Sequence, residues 1–313
     1  MLCLLMCACM SLEVTYQDYS SNKTALYILA LLPYSNASPC RYHSWDKGAG
    51  ILPAAELAIE HINKKSDVLR LYQLHLISGD GGCNVVSKTV VSFVKHVLSA
   101  TQRVVGIVGP GCSASSIAVS SLASRNATAL VTLHFGTVDA LGNRTRYPYS
   151  FGILGSSRSY VKTIIALLQR NKWEDVSVLY HSKSLFFRST FKEFRAKLSG
   201  NVSFFSAVSD TYIPLTEIRE KLTRVILVFA SPCFARKVMC MAYHKGLLYP
   251  TFQWVFLHGN LAEFTEALSF KYNQKVYQCT GDVILSAVKG SLMIRFRLSP
   301  TEKNTTTTFG LKK

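Results

Sequence analysis

Two hydrophobic rhythms exchange along this chain. ALYILALLP (25–33) is apolar almost throughout, the pattern of a strand buried on both faces. GAGILPAAELAIEHINKK (48–65) instead gathers Ile51, Leu52, Ala55, Leu57, Ala58 and Ile62 mostly on one helical face. The exchange then recurs as strand YQLHLISGD (72–80), helix NVVSKTVVSFVKHVLS (84–99), and strand with tight turn RVVGIVGPG (103–111). Helix SASSIAVSSLASR (113–125), with Ser113 as its N-cap, and strand ALVTLHF (129–135) follow.

The pattern resets at YPYSFGIL (147–154), which reads as extended. SSRSYVKTIIALLQRNKW (156–173) opens on serine caps and carries Val161, Ile164, Ile165 and Leu168 on one face. Strands and helices alternate again from DVSVLYHS to FQWVFLHG (175–259). Such alternation with β-branched runs predicts an α/β fold of parallel sheets with helices on both faces. Its repetition predicts two lobes of similar build, divided near 147–156. The expected organisation is a signal-like leader and flexible N-terminus over 1–24, lobe 1 over 25–150 and lobe 2 over 151–290. A low-complexity, disordered tail over 291–313 ends in TEKNTTTTFGLKK.

The length of 313 residues suits about two domains, and a hydrophobic share of 49% supplies a core for each. Beyond the N-terminus no apolar run approaches the ~20 residues of a spanning helix, so no internal transmembrane segment is expected. The formal net charge is +17. The densest basic clusters, Arg188–Lys192–Arg195–Lys197 and Arg219–Lys221–Arg224, fall at helical spacing and read as solvated helix faces. No nucleic-acid-binding signature accompanies them, so a nucleic acid partner is not expected.

Of nine cysteines, Cys3, Cys7 and Cys9 lie in MLCLLMCACM, which looks like a signal-peptide core. The remaining Cys40, Cys83, Cys112, Cys233, Cys240 and Cys279 are even in number, as in an oxidising compartment, and their spacing leaves the pairing open. N-x-[ST] sequons at Asn22, Asn36, Asn126, Asn143, Asn201 and Asn304 point the same way, to a secreted, glycosylated chain. No CxxC pair or finger-spaced histidine supports a metal, and no cofactor is expected.

The strongest chemical signal is VVGIVGPGCSASS. A buried strand enters Gly109-Pro110-Gly111, and a helix begins at Cys112 or Ser113. In open parallel sheets ligands bind at the carboxyl ends of strands, and free amides at a helix start suit an anion. Ser113, Ser115 and Ser116 add hydroxyl donors there, so a small carboxylate such as an amino acid fits; plain N-capping by Ser113 explains the same pattern. The turn lacks the Lys-[Ser/Thr] of a P-loop and the spacing of a dinucleotide fingerprint, and Asp80 then reads as a loop cap. No G-x-S-x-G or H-E-x-x-H occurs, and His43, His134, His181 and His258 near strand ends find no nucleophile partner by spacing, so no enzyme is expected.

Five segments in order, SWDKGAGILPAAELAIEHINKKSDVLRLYQLHLISGDGGCN, VVGIVGPGCSASS, DALGNRTRYPYSFGIL, FARKVMCMAYHKGLL and VYQCTGDV, resemble one family across residues 25–290. It is the Venus-flytrap extracellular domain of class C G-protein-coupled receptors, most closely the metabotropic GABA type B group, whose fold is that of periplasmic amino-acid-binding proteins. The resemblance implies disulfides Cys83–Cys112 and Cys240–Cys279, leaving Cys40 and Cys233 over. It implies that Ser113, beside Cys112 in the same turn, hydrogen-bonds a ligand carboxylate, that Trp45 packs over the ligand, and that Thr137 lies near a second ligand-contacting serine position.

The same resemblance exposes departures. Leu154 stands where the family has a ligand-contacting histidine, Ser231 where it has a lobe 2 tyrosine, and Gly259 or Asn260 where it has a second tryptophan. The lobe 1 half of the pocket is kept in part and the lobe 2 half is replaced, so an amino-acid-like ligand is expected, with GABA one candidate. The family's domain continues after lobe 2, which implies a fold truncated before completion. Further implications are cleft closure on the ligand, a homo- or heterodimer through lobe 1, and a G protein reached only through a membrane region outside this chain. Placement is extracellular at the plasma membrane, or secreted. A natriuretic-peptide or guanylyl-cyclase-type receptor and a secreted, non-signalling binding protein are the alternatives.

Overall fold

The computed structural model describes residues 23–33, 51–82, 85–99, 101–125, 130–198, 202–207, 212–221, 223–257 and 261–294. The first half runs β1 (Thr24–Leu32), α1 (Ile51–Lys64), β2 (Tyr72–Asp80), α2 (Val86–Phe93), β3 (Val104–Val108), α3 (Ser113–Arg125), β4 (Val131–His134) and β5 (Ser150–Gly152). Helix α2 ends in a π-helical turn over Val94–Leu98. These strands form one parallel sheet in the order β2-β1-β3-β4-β5.

The second half runs α4 (Ser157–Asn171), β6 (Val176–His181), α5 (Leu185–Lys197), β7 (Val202–Ala207), α6 (Leu215–Glu220), β8 (Val225–Phe229), α7 (Pro232–Lys245) and β9 (Gln253–Leu257). It closes with β10 (Leu268–Tyr272), β11 (Lys275–Cys279), α8 (Gly281–Ala287) and β12 (Leu292–Ile294). Its parallel sheet has the order β7-β6-β8-β9-β12, the first sheet's topology repeated. In both sheets the strand order reverses beside the first strand, and crevices open at the carboxyl ends of strands at such a point.

Burial explains the apolar runs. Every residue of β8 is buried, with Ile226 and Val228 in one cluster with Trp254 and Met239, and Val225, Leu227 and Phe229 in the opposite one with Phe191 and Phe194. A strand with helices on both sides needs apolar residues at every position, not alternate ones. In the first sheet, α2 and α3 bury Phe93, Val119 and Ala123 against Leu29, Leu31 and Ile107. On the other face α1 packs on β1 and β2, whereas Val131, Leu133, Phe151 and Ile153 of β4, β5 and the residue after it stay exposed.

The sheets adjust the expected boundaries. Strand β5 runs to Gly152, past the limit of 150 for lobe 1, and Leu292-Met293-Ile294 pair with β9 although they fall in the stretch expected to be a disordered tail. That triplet is apolar and docks as an edge strand. Helix α7 starts at Pro232, because Ser231 caps it and proline suits the first helical position. The β10–β11 hairpin packs on α7, and Cys240 of α7 is bonded to Cys279 of β11, with Cα atoms 5.9 Å apart.

Candidate ligand-binding site

The reversal point of the first sheet is filled by the turn after β3. Gly109 has φ +96°, and a Cβ there would lie 2.2 Å from the Leu31 carbonyl oxygen at the end of β1. Only glycine combines that backbone with that approach. The Gly109 N–H donates to the Leu133 carbonyl at 2.8 Å, and the Phe135 N–H donates to the Pro110 carbonyl at 3.1 Å. Laced thus between β1 and β4, the turn delivers the chain into α3.

The helix spans Ser113–Arg125 as expected, and only its cap lies one residue earlier. The Cys112 carbonyl accepts the first helical bond, from the Ser116 N–H at 2.8 Å, so Cys112 and not Ser113 holds the N-cap position. The amides of Ser113, Ala114 and Ser115 therefore have no acceptor within the helix. Ser113 is buried with 8% exposure, and its Oγ accepts the Thr137 N–H at 3.2 Å. A hydroxyl carries one donor, and here the Ser113 proton is left to give.

Ser115 and Ser116 correct the expectation of three available hydroxyls. Both are fully buried. Ser115 Oγ donates to the Gly82 carbonyl at 2.7 Å and meets Thr89 Oγ1 at 3.2 Å, while Ser116 Oγ donates to the Pro110 carbonyl at 3.2 Å. Helical rotation turns them onto the loops after β2 and β3, which they brace. The loop after β2 is capped by Asp80, whose Oδ1 accepts the Gly82 N–H at 3.0 Å. The loop after β4 lies directly on α3: a Cβ at Gly136 would sit 2.7 Å from Ser116 Oγ.

His134 ends β4 beneath this loop and is 2% exposed. Burial pushes its pKa below the usual histidine value and the Arg144 charge adds to that, with the Gly136 backbone offsetting part. The unfolded chain takes up a proton near its ordinary value of 6.5 while the folded chain does not. Above that pH the group is neutral in both states and contributes nothing to the pH dependence. Below it, stability falls, by at most about 1.4 kcal/mol per pH unit, until the folded-state pKa is passed. Urea unfolding between pH 7.5 and 5 is expected to show a shallower loss of stability in His134→Leu than in the parent chain.

The second sheet presents Ser231 and His181 at its own reversal point. Ser231 caps α7, its Oγ accepting the Phe234 N–H at 3.5 Å, and the His181 ring stacks on Phe234 at 5.0 Å. Leu154 is half-buried on the crossover between β5 and α4. The structure thus brings Ser113 and Thr137 into contact and puts Ser231 on the other sheet. Cys112 and Cys233 are each disulfide-bonded. Trp45, Cys40, Cys83, Gly259 and Asn260, with the sequons at Asn22, Asn36, Asn126, Asn201 and Asn304, lie outside the described residues. Asn143 is exposed. Sequence reasoning missed Ser157, whose N–H donates to the Thr137 carbonyl at 2.6 Å; nothing in its local sequence distinguishes it from a helix-capping serine.

Comparison with known proteins gives a match to the family described as "Receptor family ligand binding region" over residues 50–310. Gamma-aminobutyric acid type B receptor subunit 1 of Mus musculus is 28% identical over 278 residues, covering 87% of this chain and 27% of that protein. Gamma-aminobutyric acid type B receptor subunit 2 of Homo sapiens is 28% identical over 258 residues, covering 80% of this chain and 26% of that protein. Subunit 1 of Caenorhabditis elegans is 25% identical over 244 residues. The chain therefore spans about a quarter of the length of the curated relatives it matches.

Proposed function

The chain belongs to the receptor-family ligand binding region, and from that premise we propose that it is the extracellular ligand-binding part of a GABA type B-like receptor of the class C group. It takes a small amino-acid-like ligand at the carboxyl edge of the first sheet and closes the second lobe over it. The observation that carries this reading is the start of α3, where amides without an acceptor in the helix and the remaining Ser113 proton converge at a strand-order reversal. A carboxylate is the simplest group that satisfies them.

The closing contacts would come from the second lobe. Ser231 offers a smaller side chain there than the family's tyrosine, so GABA is one ligand among several of this class. A ligand shifts the open–closed balance only through contacts made better in the closed state. Changes on the second lobe should therefore alter closure more than first docking. Pairing with a second subunit through lobe 1, and signalling through a membrane region, belong to the same proposal; no described helix is long and apolar enough to cross a membrane.

Thermal-shift titration with GABA, glycine and glutamate tests the reading. A ligand at 100 times its dissociation constant should add about 2.7 kcal/mol of stability. Ser113→Ala removes a hydrogen bond to a charged group and is expected to weaken binding by about 1.5–3 kcal/mol, roughly 10- to 150-fold. Equal affinity of the parent chain and Ser113→Ala for every ligand that binds would end the assignment of the carboxylate to α3.

A further inference from the structure

The peptide of Thr137 hangs between two helix starts. Its N–H donates to Ser113 Oγ on α3 at 3.2 Å, and its carbonyl accepts from the Ser157 N–H on α4 at 2.6 Å. The first helix belongs to the half built on the first sheet and the second to the half built on the second. Ser157 is fully buried at this junction. Its Oγ accepts the Asp139 N–H at 3.2 Å and donates to Glu193 Oε2 on α5 at 3.3 Å.

The carboxylate of Glu193 is anchored in turn. Arg158 Nε lies 3.7 Å from Glu193 Oε1 while its Nη2 pairs with Asp139 at 2.7 Å, and Lys197 reaches Glu193 Oε1 at 3.0 Å. Beside these polar links, Val138, Leu141 and Tyr147 of the loop after β4 pack with Ile117 of α3 and with Leu185 and Phe186 of α5. The segment 137–139 is thus fixed from both halves at once.

We propose that Ser157 and Glu193 are positioning residues for Ser113: from the second half they set the place of the Thr137 peptide, and through it the direction in which Ser113 presents its hydroxyl. The proposal rests on the reading of Ser113 as the ligand-binding serine. It deepens that reading by naming how the second half senses the site without touching the ligand. Movement of α5 relative to α4 would pull on the Ser157 hydroxyl, release Asp139 and loosen the peptide that holds Ser113. Conversely, a carboxylate engaging Ser113 would stiffen Thr137 and favour the arrangement in which Glu193 is engaged.

Amide exchange at Thr137, followed by NMR on the chain without ligand, tests this directly. In Glu193→Ala, exchange of the Thr137 amide is expected to rise about 3- to 10-fold, the factor that one ordinary hydrogen bond carries. Exchange at Leu29 in β1, whose apolar cluster holds no residue of α4 or α5, should stay unchanged. Glu193→Gln keeps an acceptor for the Ser157 hydroxyl and should restore Thr137 to the parent rate, which a loss of charge alone would not do. Should Glu193→Ala fold poorly, Ser157→Ala carries the same expectation. A Thr137 rate in the alanine variants equal to that of the parent, or no restoration by Glu193→Gln, overturns the proposal. Because no ligand is present, this result is separate from the Ser113→Ala titrations: the ligand reading can fail there while the link between the halves stands here.

Discussion

Gly109→Ala is expected to destabilise the first lobe by at least about 2 kcal/mol and to abolish the ligand binding proposed at α3. Two costs coincide at this position. A backbone at φ +96° is strained for any residue with a Cβ, by about 1–3 kcal/mol. The added Cβ would also meet the Leu31 carbonyl oxygen at 2.2 Å, a backbone atom that cannot swing aside as a side chain could. Overpacking of that kind costs about 1–3 kcal/mol more through shifts in the surrounding backbone. The shift would separate β1 from the turn, and with it break the bonds from Gly109 to Leu133 and from Phe135 to Pro110 that aim α3. Gly111→Ala, two residues on, is the control: its Cβ would make an ordinary 3.7 Å contact with Pro33 and its φ is unremarkable, so stability should change by less than about 0.5 kcal/mol. Urea unfolding of the two variants checks this, and similar losses in both would show that the turn is not held as described.

Much of this was legible because packing writes itself into hydrophobic pattern. The fully buried run of β8 and the one-sided face of α4, with Val161, Ile164 and Leu168 buried, are visible as composition before any coordinate is known. The turn at Gly109-Pro110-Gly111 was equally plain, since two glycines between a buried strand and a serine-rich helix have few other uses. What escaped detection was short or depended on distant partners. Strands β10 and β11 are five residues each, joined at Asn273 and Gln274, whose φ values of 44° and 65° are adopted without the glycine that marks such a turn. The three serines after Cys112 look alike in sequence. They differ only because Gly82 and Pro110 stand opposite two of them and Thr137 opposite the third. The bond from Ser157 to Glu193 spans 36 positions between two helices, and no local pattern encodes it.

Glu266→Ala should prove the more damaging half of a buried ion pair, costing about 3 kcal/mol. Arg236 lies on α7 with its side chain 5% exposed, and its Nη1 meets Glu266 Oε2 at 2.7 Å. Its Nε has no hydrogen-bond partner among the described residues, so Glu266 supplies the compensation for a desolvated charge. Removing one partner of a buried pair costs about 3–5 kcal/mol because the other charge is left uncompensated. The lower end applies here, since the Glu266 side chain is 32% exposed and water can reach part of the gap. Replacing both partners at once removes the need for compensation, so Arg236→Met with Glu266→Leu should come within about 1 kcal/mol of the parent chain. The pair also bears on the site, because Arg236 sits just beyond the first turn of the helix that Ser231 caps, and Glu266 ties that end of α7 to the segment leading into β10. Ligand closure in the double variant therefore separates two roles for the pair. Retained stability with weakened closure would mean that the ion pair aims Ser231. Retained stability with unchanged closure would mean that apolar packing of α7 does so alone. A Glu266→Ala loss below about 1 kcal/mol would show that solvent already compensates Arg236.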